Sequence, residues 1–179
     1  GSMHLNDAVG RNTNVQHIST HHEQAIAMAV EAYARIKGFG VGIVTTGPGG
    51  TNTVTGIVGA WIDSTPCMII SGQIARKDTI LNTKLRQRGV QEVDIISIVK
   101  PITKYAEMVT DANKIKYYLQ KAVYIAKSGR NGPVWLDIPL DIQGTLIDEK
   151  NLEEFIPSAK DKINCDSRQE LKDKVAECI

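Results

Sequence analysis

"THHEQAIAMAVEAYARIKGFGVGIVTTGPGGTN", residues 20–52, carries a helix pattern, a strand pattern and a glycine turn in one run. Between His22 and Lys37, the residues Ile26, Ala29, Val30, Tyr33 and Ile36 recur at three-and-four spacing. That spacing predicts a helix with those five side chains inward and Gly38 as its stop. "VGIVTT" (41–46) is β-branched and nearly continuous, the pattern of a strand buried on both faces. "TTGPGGTN" (45–52) then bends the chain sharply into the next element. Whether Glu23 at the helix start and the glycines of the turn share one site is the functional question this stretch raises.

The same alternation continues outward. "HLNDAVG" reads as a short helix and "VQHIST" (15–20) as a strand, and "TNTVTGIVGAWID" (51–63) fits a small-residue helix packed closely on a sheet. "CMIISG" (67–72), "KYAEMV" (104–109) and "GPVWLDIP" (132–139) read as further strands. "VDIISIV" is a short helix stopped before Pro101, and a longer helix runs from an Asp111 cap to Gly129. Strands alternating with helices predict an α/β domain with a mainly parallel sheet and helices on both faces. From Gln73 to Gly89 the chain is polar and basic, a long loop of the kind that is more often functional than accidental. After Pro139 it reads as a linker, and Ser167 with Glu170 forms a capping box that opens a last helix.

Composition excludes several classes. With 21 basic and 20 acidic side chains, no global field favours nucleic acid or an anionic membrane. No apolar run approaches the ~20 residues of a spanning helix, and no signal-peptide pattern opens the chain. Three cysteines (Cys67, Cys165, Cys178) without CxxC spacing fit a reducing, cytoplasmic setting. His22-Glu23 resembles the start of a zinc-protease motif, but the fourth residue on is Ile26, which cannot ligate metal.

Each candidate residue also has a plainer reading. Thr20-x-x-Glu23 is itself a capping box, so Glu23 could serve only the helix start. The glycine turn lacks both the GK[ST] of a phosphate loop and the GxGxxG of a dinucleotide fold. Gln73 and Gln91, which bracket the basic loop, could face a ligand or only solvent. Arg76, Lys77, Lys84, Arg86 and Arg88 fit a solvated loop better than an anion site. Trp61 and Trp135 read as core, and Cys67 as an inert small hydrophobe.

Taken in order, "HHEQAIAMAVEAYARIKG", "GIVTTGPGGTNTVTGIVGAWIDSTPCMIISGQ", "VQEVDIISIVKPITKYA" and "GPVWLDIPLDIQ" resemble the N-terminal, pyrimidine-binding domain of thiamine diphosphate enzymes, in their acetolactate synthase branch. The resemblance implies a pyrimidine-binding domain over 3–143 lacking its first strand, a linker over 144–166 and the truncated start of a middle domain over 167–179. It implies that Glu23 hydrogen-bonds the aminopyrimidine N1′ of thiamine diphosphate and favours its imino tautomer, and that Pro48, Gly49 and Asn52 line the pyrimidine pocket. Gln91 would face cofactor or substrate, Val90 would border the substrate, and Lys104 would lie near the substrate entrance. Magnesium and the diphosphate would be held by a separate C-terminal domain, and a flavin (FAD) by the middle domain in some members.

The reaction implied is decarboxylation of pyruvate with transfer of the two-carbon unit to a second 2-oxo acid. The site would lie between subunits of a homodimer or tetramer, so that the 179 residues alone are inactive. Two departures, Val90 where the family usually has an aromatic residue and a longer loop before it, leave open another 2-oxo acid decarboxylase or lyase. A non-catalytic assembly module with the same fold is the third alternative.

Overall fold

The computed structural model describes residues 1–80, 83–158 and 176–177. Four strands, β1 (Gly40–Val44), β2 (Cys67–Gln73), β3 (Tyr105–Met108) and β4 (Val134–Pro139), form one parallel sheet in the order β1-β2-β4-β3. Val44, Ser71 and Asp137 stand side by side near the carboxyl ends. Parallel strands need crossovers: α4 (Val54–Ile62) lies between β1 and β2, α5 (Ile95–Val99) between β2 and β3, and α6 (Ile115–Lys127) between β3 and β4, while α2 (Glu23–Lys37) precedes β1. Val30 and Ala34 of α2, Ile57 and Ala60 of α4, and Ile95 and Val99 of α5 pack with Ile69 and Trp135 on one face. Ala122 and Ala126 of α6 pack with Met68, Val134 and Leu136 on the other. The expected α/β architecture with helices on both faces is what forms. Two further helices, α1 (Met3–Arg11) and α7 (Leu140–Gln143), pack together, and Ile142 joins a third cluster with Val109, Ala112 and Ile138.

Several local expectations are corrected. "VQHIST" forms no strand: Val15 and Ile18 are exposed and the segment pairs with nothing in the sheet. Alternation alone cannot make a strand without a neighbouring ladder. Helix α2 buries Ala27, Val30 and Ala34, while Tyr33 is half-exposed and Ile36 is 81% exposed. The reason is proximity: a Cβ at Gly56 of α4 would lie 2.6 Å from that of Ala27, so the inward face must be small where the helices meet. One face of β1 is covered by α2, while Val41 on the other is exposed, because α6 packs on β2, β3 and β4 rather than on this edge strand. Trp61, expected in the core, is 40% exposed at the end of α4, whereas Trp135 is fully buried.

The helix expected from Asp111 begins instead as a single 3₁₀ turn, Ala112–Lys114, capped by Asp111 through the Asn113 amide at 3.0 Å. The start of the expected linker is folded as α7. Beyond it, the chain returns to α6: Phe155 packs edge-on to Tyr117 at 5.5 Å, and its amide donates to Gln120 Oε1 at 2.8 Å. The Ser167–Glu170 capping box lies outside the described residues.

A buried polar network closes the carboxyl end of the sheet. Asp137, 1% exposed, accepts from Ser71 Oγ at 2.5 Å and from Gln73 Nε2 at 3.0 Å. Ser71 Oγ accepts in turn from the Trp135 indole at 2.8 Å. Gln73 also donates to the Val93 carbonyl at 3.1 Å, and its Oε1 accepts from the Ile74 amide. Gln73 is therefore not a solvated bracket of the loop but a core residue that ties the loop to the sheet. Burial pushes the Asp137 carboxyl up to about 6, against the two hydrogen bonds that favour its charge, with Asp94 nearby adding to the rise.

A carboxyl raised in the folded state withdraws stability as pH rises from the unfolded value of 3.8 to about 6. The withdrawal amounts to about 3 kcal/mol, at ~1.4 kcal/mol for each pH unit between the two values. Asp137→Asn abolishes that titration, although its amide then faces Gln73 Nε2. Thermal unfolding at pH 4 and at pH 7 should show the stability of the variant relative to wild type improving by about that amount on going to pH 7. A difference that stays constant with pH would refute the assignment.

Candidate functional site

The site forms where the sheet's carboxyl ends meet the start of α2, the place where open parallel sheets offer a crevice. The chain leaves β1 through Thr45 and Thr46 and enters a single helical turn, α3 (Pro48–Thr51), with Pro48 at its first position. Proline suits that position because its missing N–H would have no partner there. Gly47, which precedes it, has φ +61°, a conformation that favours glycine. A side chain there would also strike the Gln91 carbonyl. Gly49 is equally constrained, since a Cβ would come within 2.7 Å of Thr45 Cγ2.

Helix α2 is capped by His22, whose Nδ1 accepts from the Gln24 amide at 3.1 Å, while Thr20 Oγ1 donates to the His22 carbonyl at 2.9 Å. The expected Thr20–Glu23 capping box is thus replaced by a histidine cap, and the Glu23 side chain is released for other work. Its Oε2 accepts from Asn52 Nδ2 at 3.0 Å, across from the glycine turn. Its Oε1 lies 3.6 Å from where a Cβ of Gly49 would stand. The Asn52 amide, donating to the carboxylate, holds Glu23 below the usual carboxylate range. Its own backbone amide acts in the same direction, burial opposes, and the nearby His22 adds the least. The glutamate and the glycine turn therefore do meet, as a carboxylate beside a tightly packed turn whose Gly49 is buried against Thr45.

Of the other candidates, Pro48 and Asn52 are exposed on this same turn. Gln91 reaches it by its backbone, which abuts Gly47, and sits in the left-handed region at φ +58°. Val90 next to it is 84% exposed. Lys104 is not brought here. It precedes β3, at the amino edge of the sheet, and its Nζ donates to the carbonyls of Ile125 and Ser128 at the end of α6. Burial lowers its pKa, and its place is that of a cation on a helix C-terminus, a pairing that sequence order alone does not show. Cys67 is buried in β2, and burial pushes its thiol up to about 12, leaving an unreactive side chain.

Two residues near the site carry weight that their sequence context did not signal. Gln73 anchors the loop through Asp137, and the one available clue was its position as the last residue of a buried strand. Glu92, buried beside Gln91, accepts from the backbone amides of Ile80, Arg88 and Gly89. The loop is also pinned at its start by Arg76, which pairs with Asp141 at 2.7 Å and donates to the Thr110 carbonyl. Among the described residues, no helix is long and apolar enough to cross a membrane.

Comparison with known proteins bears on this arrangement. Residues 1–98 match the family model described as thiamine pyrophosphate enzyme, N-terminal TPP binding domain. The chain is 39% identical over 147 residues to acetolactate synthase 2, chloroplastic, of Nicotiana tabacum, covering 82% of this chain and 21% of that protein. It is 37% identical over 148 residues to the acetolactate synthase large subunit of Lactococcus lactis subsp. lactis, covering 82% and 25%. With that of Haemophilus influenzae it shares 40% identity over 140 residues, covering 78% and 23%. The chain thus spans roughly a fifth to a quarter of the length of these curated relatives.

If Asn52 holds Glu23 ionised, Asn52→Ala removes the hydrogen bond that favours the charged form, and the Glu23 carboxyl should titrate at higher pH than in wild type. Carbon-detected NMR titration of that carboxyl reads the change directly. An unaltered titration would show that Asn52 does not set the charge of Glu23.

Proposed function

Because the chain belongs to the thiamine pyrophosphate enzymes, through their N-terminal TPP binding domain, we propose that it is the pyrimidine-binding part of an acetolactate synthase-like enzyme. In that reading the intact protein decarboxylates pyruvate, releases carbon dioxide and joins the two-carbon remainder to a second 2-oxo acid. The observation that carries it is the Glu23 carboxylate, which accepts from Asn52 and lies against the glycine turn beside Gly49, with its pKa lowered by that hydrogen bond. A charged acceptor suits a protonated ring nitrogen, and Pro48 and Asn52 are exposed beside it, so the residues present fit an aminopyrimidine.

Glu23 would accept a hydrogen bond from the ring nitrogen and hold a proton there. Asn52 would keep Glu23 charged and aimed, and Pro48 and Gly49 would form the wall against which the ring lies. Gln91 would present its side chain to cofactor or substrate from the opposite side, with Val90 bordering the substrate. When bound, thiamine diphosphate supplies the electron sink that makes loss of carbon dioxide from a 2-oxo acid feasible. The protein's share of the work is positioning and polarisation.

The remaining proposals concern the whole protein. Residues 3–143 would form the pyrimidine-binding domain, 144–166 a connecting segment and 167–179 the start of a middle domain. Magnesium and the diphosphate would be held by a C-terminal domain of a partner subunit in a homodimer or tetramer, and a flavin would depend on the middle domain. A cytoplasmic location belongs to the same proposal. One observation favours a second reading, in which the substrate is a different 2-oxo acid: the exposed Val90 at the end of a long loop provides no aromatic wall.

The full-length parent, supplied with thiamine diphosphate, magnesium and pyruvate, should form acetolactate, and Glu23→Gln should lower the rate about 10²- to 10⁴-fold. The 179 residues alone should form none. Retained activity in Glu23→Gln would overturn the role given to this carboxylate. Cofactor-dependent decarboxylation of another 2-oxo acid without acetolactate would select the second reading.

A further inference from the structure

Four consecutive residues close the long loop, and each is fastened to a different part of the fold. The Gln91 backbone lies against Gly47, and its left-handed conformation is one that a non-glycine residue keeps only when its surroundings enforce it. The Val93 carbonyl accepts from Gln73 at 3.1 Å. Asp94 caps α5 through the Ser97 amide at 3.1 Å. Between them Glu92, 7% exposed, turns inward. Its Oε1 accepts from the Ile80 amide, and its Oε2 accepts from the amides of Arg88 at 3.0 Å and Gly89 at 3.1 Å.

A carboxylate that collects three backbone donors gathers the middle and the last residues of the loop into one knot, since each donor would otherwise be short of a partner. The knot lies one residue from Gln91 and includes the two amides just before Val90. We propose that Glu92 is a positioning residue: by holding the basic loop through three backbone amides, it sets Gln91 against the glycine turn and so fixes where its side chain meets the substrate. The role rests on the reading that Gln91 faces cofactor or substrate. It also explains how a loop this long and this charged delivers one residue to a defined place. An amide at position 92 has one accepting oxygen in place of two, and its NH₂ would confront backbone N–H groups.

Both halves are tested in the full-length parent. Amide hydrogen exchange should show peptides covering residues 83–92 exchanging about tenfold faster or more in Glu92→Gln, with peptides from β2 and β4 unchanged. Equal protection in the two proteins would overturn the knot. Steady-state kinetics should then show Glu92→Gln and Gln91→Ala each raising KM for the 2-oxo acid about tenfold, with the double variant no worse than Gln91→Ala alone. Additive losses, or a fall in kcat that merely follows the amount of folded protein, would overturn positioning in favour of a structural role. If Gln91→Ala changes nothing, the reading of Gln91 fails and this role for Glu92 fails with it, whereas the exchange result still reports on the knot. Should Glu92→Gln not fold, Glu92→Asp, which keeps the charge but is one carbon shorter, serves the same measurements.

Discussion

A buried carboxyl whose hydrogen bonds, among the described residues, come from neutral side chains lies at the carboxyl end of the two central strands, and the arrangement around the site depends on its being satisfied. Asp137 must find donors or stay neutral, because an unpaired charge in a dry core is costly. Ser71 from β2, Gln73 at the end of β2 and, through Ser71, Trp135 on β4 itself meet that demand. In doing so they hold β2 and β4 in register and pull the Val93 backbone down onto the sheet. A partly satisfied network would be worse than an apolar one, so these side chains specify one arrangement of the sheet's end and of the loop above it.

Around that anchor the candidate site is assembled from short-range necessities. The turn after β1 has to pass under the Gln91 carbonyl, which requires glycine at 47. It must also lie close on Thr45, which requires glycine at 49. Helix α2 is capped by His22 in place of its glutamate, and the freed carboxylate then meets Asn52. The Glu23 carboxylate meets a neutral amide, Asn52, beside this tightly packed turn.

Much of this was legible in the sequence. Three of the five expected strands read as alternating or continuous apolar runs flanked by turns and formed where expected. The β1 run did too, but with one side uncovered, because a β-branched pattern does not reveal which strand sits at an edge. The "VQHIST" segment shows the complementary failure, an alternating pattern that finds no ladder. Helix α2 was placed correctly but rotated, since ranking side chains by size misses that a neighbouring glycine helix selects alanines. Glu23, Gly49 and Asn52 lie together at one turn, whereas Lys104 lies elsewhere. Its ammonium satisfies carbonyls at the end of α6, a partnership set by a helix more than twenty residues away in sequence. Glu92 was illegible because a carboxylate in a polar loop carries no sign of pointing inward.

Strand β1 leaves one side of the sheet open, with Val41 at its outer face and the backbone donors and acceptors of that side turned away from β2. Among the described residues no strand pairs with that edge, and a short, β-branched edge strand is a template that another extended segment can join by hydrogen bonds alone. Solubility of these residues therefore depends on what lies along that margin as well as on surface charge. Where nothing covers it, two copies can meet margin to margin, at a rate that rises with concentration and is little affected by salt.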